Sequence, residues 1–220
     1  MSGRIDNILF DLDGTLTDPK EGIVNSILFA LNKLGIHENN IDELDNFIGP
    51  PLRDSFLKRY NLNDELADKA MLYYREYFSV KGIYENKIYP GVNKLLESLS
   101  SRNYQLFVAT SKPTVYSEEI LKYFKIDDYF KAVIGSYLDN TRTDKTEIIS
   151  YLISNYELNA GHSVMVGDRK HDILGGKNNS LKTIGVTYGY GSMEELLLSQ
   201  PDFMVNECKE IEALFVNNSF

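Results

Sequence analysis

"ILFDLDGTLTD", residues 8–18, decides the fold, because an apolar run that ends in two aspartates one residue apart is a strand delivering charge to a crevice. Ile8, Leu9 and Phe10 ask for burial, whereas an ionised carboxylate leaving water loses on the order of several kcal/mol unless something compensates it. Residues i and i+2 of a strand share a face, so Asp11 and Asp13 project together if the extended backbone persists to Asp13, and Gly14 then lets the chain turn away. Asp-Gly is also an ordinary turn dipeptide. Two close carboxylates suit a hard divalent cation such as Mg²⁺, which binds through one or two carboxylates and keeps several waters.

Further along, "QLFVAT", "AVIGS", "SVMVG" and "KTIGVT" are short apolar runs that end in polar or glycine-containing turns. Between them lie the amphipathic patterns "GVNKLLESLSSR", "PTVYSEEILKYF", "KTEIISYLISN" and "SMEELLLSQ". Strands alternating with helices predict an α/β fold with a doubly wound, Rossmann-like, mostly parallel sheet covered on both faces. Ligands of such sheets bind outside the carboxyl ends of the strands, where Asp11 and Asp13 stand.

The rhythm breaks between Pro19 and Tyr89. "EGIVNSILFALNKLG" places Ile23, Ile27, Leu31 and Leu34 at helical spacing with Gly35 as the stop, and "ELADKAMLYYREYFSV" is a second, strongly aromatic helix. Pro50 and Pro51 interrupt any helix crossing them, so a turn between two short helices is expected there. The predicted organisation is a discontinuous core, residues 1–18 and 88–220, with a helical cap at 19–87 inserted after the first strand. The tyrosines of "YYREYF" are read as cap core in preference to a contact patch.

Composition narrows the function. The chain has 220 residues, 43% hydrophobic and 25% charged, and a net charge of −9. Such a balance repels nucleic acid and anionic membrane, so neither is an expected partner, and a phosphate-bearing partner needs local cations or a metal. The single cysteine, Cys208, forms no internal disulfide and is read as a helix-facing residue. "MSGRIDN" carries no apolar targeting region and no stretch approaches the length of a spanning helix, so a cytoplasmic location is expected. Oligomeric state is not legible.

Other strand ends carry chemistry as well. "LFVATSKP" delivers Thr110 and Ser111, which read as a helix N-cap before Pro113 or, compatibly, as an anion site. Lys145, in "NTRTDKTEII", reads as a surface lysine or as the cation that a phosphate site in so acidic a chain requires. "VMVGDRKHDILGG" repeats the opening pattern: Asp168 follows a strand and a glycine, and Asp172, four residues on, faces the same spot as a metal ligand or orients one from behind. His171 between them is read as an exposed loop residue, because hard oxygen sites do not need imidazole.

In that order and placement the chain resembles the haloacid dehalogenase superfamily: "DLDGT" is similar to its first motif, Thr110 in "VATSK" to its second, Lys145 to its third and "GDRKHD" to its fourth. The helical insertion resembles a C1-type cap, and "IGVTYGYGSMEEL" with "PDFMVNECKEIEAL" is similar to phosphoglycolate phosphatase-like and 5′-nucleotidase-like members. The resemblance implies a Mg²⁺-dependent phosphomonoesterase acting on a small phosphorylated metabolite. Asp11 would be the nucleophile and Asp13 the acid and base, with Asp11, Asp13, Asp168 and Asp172 the metal set. Gly14, Thr110, Ser111 and Lys145 would hold phosphate, Thr110 and Lys145 counting with Asp11 and Asp13 as catalytic. Asp13 favours phosphoryl chemistry, since a halide leaving group needs no proton. Phosphoglucomutase-like relatives place a histidine where Ile23 aligns, which favours hydrolysis over mutase transfer. Two rival functions are a non-catalytic phosphate-binding protein on the same scaffold and a receiver-type signalling domain, which would need no large cap. Arg53, in "FIGPPLRDSF", is either a contact for a substrate anion or one half of a surface ion pair.

Overall fold

A computed structural model describes residues 4–217 together with 219 and 220. The chain divides into two compact units, Met1–Thr17 with Ile88–Phe220 and Asp18–Lys87.

The larger unit opens with β1 (Asn7–Phe10), whose four residues are all buried because it pairs on both sides. The chain then passes through β2 (Thr17–Asp18), the smaller unit and β3 (Lys87–Ile88), the two short strands forming a two-stranded sheet. Past β3 come α4 (Val92–Ser101), β4 (Gln105–Pro113), α5 (Thr114–Tyr123), β5 (Phe130–Ser136), α6 (Lys145–Asn155), β6 (Ser163–Gly167), α7 (Lys170–Asn178), β7 (Lys182–Val186), α8 (Met193–Ser199), β8 (Phe203–Val205) and α9 (Cys208–Val216). The main sheet runs β5-β4-β1-β6-β7-β8, and its neighbouring strands pair in parallel. Chain order moves outward from β1 to β5 and then returns to build β6, β7 and β8 on the other side. That reversal beside β1 is where doubly wound sheets open their ligand crevice.

The core follows from the apolar runs. Leu9, Phe107, Ala109 and Met165, from three adjacent strands, pack with Ile148, Ile149 and Leu152 of α6. These side chains are fully buried, each worth about 1.5–3 kcal/mol where it is a large aliphatic or aromatic group. Asp144 caps α6 by accepting a hydrogen bond from Glu147 N at 3.1 Å, which fixes Lys145 at the first helical position.

The smaller unit is built from α1 (Lys20–Lys33), a 3₁₀ segment at Ile41–Phe47, α2 (Leu52–Tyr60), α3 (Asp64–Tyr77) and a π turn at Phe78–Gly82. Gly35 follows α1 with φ +70°, the left-handed stop anticipated from the pattern. Pro50 and Pro51 separate the 3₁₀ segment from α2. Phe47 and Tyr60 pack on Phe56, which is fully buried, and Tyr74 stacks on Phe78 in the core of the unit, while Tyr73 and Tyr77 are only half-buried. The π turn closes against α1 because Gly22 leaves room: a Cβ there would stand 1.9 Å from Gly82 O.

Candidate active site

β1 ends at Phe10, so the condition of extended backbone through Asp13 is not met, and Asp11 and Asp13 are presented by a tight loop. The cause is Leu12, whose fully buried side chain anchors the loop while its carbonyl accepts from the N–H groups of Thr15, Leu16 and Thr17. Asp11 N donates to Val166 O at 2.9 Å, and Asp11 Oδ1 accepts from Leu12 N at 2.8 Å. Gly14 turns the loop with φ +85°, and a Cβ on it would stand 2.3 Å from Asp168 Oδ2. Only glycine meets both demands.

Four buried carboxylates gather at the ends of β1 and β6. Asp11, Asp168 and Asp172 each offer an oxygen within 4.8 Å of the others, and Asp13 is buried beside Asp11. Asp168 is fully buried; its Oδ1 accepts from Thr15 Oγ1 at 3.4 Å and its Oδ2 from Tyr190 N at 2.7 Å. Asp172, three residues past the N-cap of α7, accepts from Arg169 N at 3.0 Å and so caps its own helix as well as facing the site.

Lys145 compensates two of them. Its Nζ forms ion pairs with Asp11 Oδ1 at 2.9 Å and Asp172 Oδ1 at 2.7 Å and donates a hydrogen bond to Ala109 O at 3.0 Å. A lysine at the first position of a helix opposes the helix dipole, and the surface placement that would relieve it is not taken: Lys145 is only 4% exposed. Burial works to lower its pKa, but Asp11 and Asp172 prevail and hold the ammonium above its ordinary range. A second cation completes the set. Lys112 Nζ donates to Asp13 Oδ2 at 2.5 Å, with both side chains nearly enclosed.

The remaining charge is uneven. With all four carboxylates ionised, they face the two ammonium groups that pair with them among the described residues, a formal excess of two negative charges. Burial raises the pKa of Asp168 well above the usual carboxylate range, with Asp172 and Asp11 adding to the effect. Burial likewise raises Asp172 against the pull of Lys145, and Asp13 against that of Lys112. An all-oxygen donor set with an excess of two negative charges fits a hard divalent cation.

Thr110 is buried within β4, three residues before its end, and its Oγ1 accepts from Lys112 N at 3.3 Å. Ser111 points elsewhere: its Oγ donates to Thr143 O at 3.1 Å and its carbonyl accepts from Ser136 Oγ at 2.8 Å, which ties β4 to the segment before Lys145. In the helical unit, Arg53 directs Nε to Asp68 Oδ1 and Nη2 to Asp64 Oδ1, each at 2.7 Å. His171 lies in the first turn of α7 and is half-buried, which corrects its reading as an exposed loop residue: the helix begins at Lys170, ahead of it. Cys208 is buried at the start of α9, with Sγ 3.5 Å from Tyr188 Oη.

Sequence reasoning missed Lys112, Thr15 and the Gly189–Tyr190 backbone that cradles Asp168. The requirement for a cation in an acidic chain, which singles out Lys145, holds equally for Lys112 in "VATSKP". Gly189 carried no such signal, although a Cβ there would stand 2.4 Å from Asp168 Oδ2.

Comparison with known proteins places these features. The sequence profile of the haloacid dehalogenase-like hydrolases matches residues 8–186. A 5′-nucleotidase of Pseudomonas aeruginosa is 49% identical over 211 residues, 96% of this chain and 94% of that protein. A phosphoglycolate phosphatase of Vibrio parahaemolyticus is 29% identical over 93% of each chain. The crystal structure of a predicted phosphatase from Clostridium acetobutylicum superposes with a TM-score of 0.94 at 43% identity, covering 98% of this chain and all of that one.

Proposed function

The chain belongs to the haloacid dehalogenase-like hydrolase family, and from that premise we propose that this phosphoric monoester hydrolase uses Mg²⁺ and an aspartyl-phosphate on Asp11 to cleave a small phosphorylated metabolite. The observation that carries the reading is Lys145 bridging Asp11 and Asp172 at 2.9 and 2.7 Å inside a group of four strand-end carboxylates. A receiver-type domain would need no separate helical unit of the size of Asp18–Lys87.

Asp11 attacks phosphorus in line and the ester oxygen departs, which divides one difficult transfer into two easier ones. Asp13 gives its proton to the departing alkoxide and then takes one from the water that hydrolyses the acyl phosphate. Lys145 and Thr110 receive the phosphoryl oxygens, and Lys145 also reduces the repulsion between phosphate and Asp11. Mg²⁺, held by the carboxylates of Asp11, Asp168 and Asp172 and the backbone of Asp13, would supply charge neutralisation for the transferring group.

A nucleoside 5′-monophosphate is the substrate class we put first, because the 5′-nucleotidase is the more similar of the two relatives, with 2-phosphoglycolate second. Ile23, buried in α1 where phosphoglucomutase-like relatives place histidine, supports hydrolysis over mutase transfer. Arg53 would serve a substrate anion only by exchanging Asp64 or Asp68 for it. The test is p-nitrophenyl phosphate hydrolysis with Mg²⁺ by the wild type and Asp11→Asn, followed by nucleoside monophosphates, phosphoglycolate and sugar phosphates assayed side by side. Equal activity in Asp11→Asn would sink the assignment.

A further inference from the structure

The two carboxylate oxygens of Asp13 are not equivalent. Oδ2 takes the ammonium of Lys112 at 2.5 Å, whereas Oδ1 is buried with no hydrogen-bond partner among the described residues. The two side chains are 10% and 7% exposed, so water does not readily substitute for the missing partner. A buried ion pair that served stability alone would gain by satisfying both oxygens, since a buried unpaired acceptor costs about 1–3 kcal/mol. The open acceptor is better explained by use.

Ammonium groups have donors and no acceptor, so an oxygen in contact with Lys112 Nζ has no room for a proton of its own. Whenever Asp13 carries a proton, that proton therefore belongs on Oδ1. Lys112 is also fixed relative to the phosphate-facing end of β4, because its backbone N donates to Thr110 Oγ1 at 3.3 Å. We propose that Lys112 is a positioning residue for proton transfer, holding Asp13 through Oδ2 and reserving Oδ1 for the reacting oxygens, an assignment that rests on the hydrolase chemistry proposed for Asp11 and Asp13. As the ester P–O bond breaks, its electron pair passes to the leaving oxygen, which takes the Oδ1 proton. In the second half-reaction the water O–H bond breaks toward the same Oδ1 while the new P–O bond forms and the acyl phosphate bond to Asp11 breaks. Lys112 keeps its proton throughout.

The experiment uses the full chain with Mg²⁺ and a series of aryl phosphates from p-nitrophenyl phosphate, whose leaving group needs no proton, to phenyl phosphate, whose leaving group does. Lys112→Met should lose at least about tenfold more kcat/KM on phenyl phosphate than on p-nitrophenyl phosphate, a part of the about 10²–10⁴ that general acid catalysis supplies in full. The inhibition constant for inorganic phosphate should not move, and Lys112→Arg, which can still donate to Oδ2, should restore most of the loss. Thermal melting checks that each variant is folded; if Lys112→Met is not, Lys112→Gln and Lys112→Arg provide the same comparison. Equal losses across the series, a weaker phosphate inhibition that parallels the loss, or no rescue by arginine would each overturn the assignment. A wild type that is active and silenced by Asp11→Asn, with Lys112→Met unaltered across the series, overturns this inference alone. A wild type inert on every aryl phosphate overturns the hydrolase chemistry and this inference with it.

Discussion

Replacing Lys145 by methionine keeps most of the aliphatic stem and removes the ammonium that three acceptors share: Asp11 Oδ1 at 2.9 Å, Asp172 Oδ1 at 2.7 Å and Ala109 O at 3.0 Å. Breaking a buried pair by removing one partner costs about 3–5 kcal/mol, because the other charge is left in a medium that cannot solvate it. Lys145, Asp11 and Asp172 are 4%, 4% and 0% exposed, so solvent offers little relief. For a chain of this length each kcal/mol corresponds to about 2–4 °C in Tm, so Lys145→Met should melt about 6–20 °C below the wild type. The assay is calorimetry in EDTA, which excludes metal compensation. Asp172→Asn in the Lys145→Met background should recover part of the loss, since it removes one orphaned charge while its amide oxygen can still cap α7; the two changes should be non-additive by about 0.5–3 kcal/mol. A single variant within about 1 kcal/mol of the wild type, or strict additivity of the pair, would refute the view that Lys145 neutralises both carboxylates.

Other perturbations follow from the same geometry. EDTA should abolish hydrolysis, and Mg²⁺ should restore it and raise the melting temperature, by the equivalent of about 2.7 kcal/mol at a hundredfold excess over its Kd; unchanged melting would speak against a cation among Asp11, Asp168 and Asp172. Gly14→Ala sets an alanine at φ +85° and drives its Cβ to 2.3 Å from Asp168 Oδ2, so it should cost about 1–3 kcal/mol in backbone strain and lower kcat, both measurable on the purified variant. In the helical unit, Arg59 and Tyr60 hold Glu38 down to a pKa of about 2 from the ordinary 4.5. A depressed acid contributes its stability above the unfolded pKa and loses it as pH falls through the folded one. Glu38→Gln should therefore be less stable than wild type near neutrality, and the gap should close between about pH 4.5 and 2 in urea titrations.

Asp11, Thr110, Lys145 and Asp168 were legible because each stands where an apolar run stops or a new helical pattern starts, and a change of hydrophobic period is a local signal that one sequence displays. The π turn at Phe78–Gly82 and the two-residue strands β2 and β3 are too short to show a period, and β8 is three residues long, so neither the ribbon nor the sheet edge could be read. Partners were harder still. Arg53 finds Asp64 and Asp68 on α3, while its sequence neighbour Asp54 is not among its ion pairs, and nothing in the intervening turn announces that choice.

Lys112 shows why the difficulty is physical. It meets Asp13 across 99 residues, on a strand that pairs with β1 in register, Phe10 opposite Val108, so both side chains come from the segments that follow one paired rung. Parallel pairing thus converts a distant lysine into a neighbour, and the signal for it is the register, which emerges only when the sheet is assembled. The same register brings Phe10 opposite Val166 and sets Asp11 N on Val166 O, so the Asp11 loop, the Lys112 segment and the Asp168 segment are aligned by one set of backbone hydrogen bonds. A site built this way tolerates changes in the loops that connect its strands but not a slip between them, since a one-residue shift of β4 against β1 would carry Lys112 away from Asp13 and reverse the faces of Phe107 and Val108 in the core. The buried carboxylates of residues 8–18 are therefore bearable through strand register as much as through the residues that neutralise them.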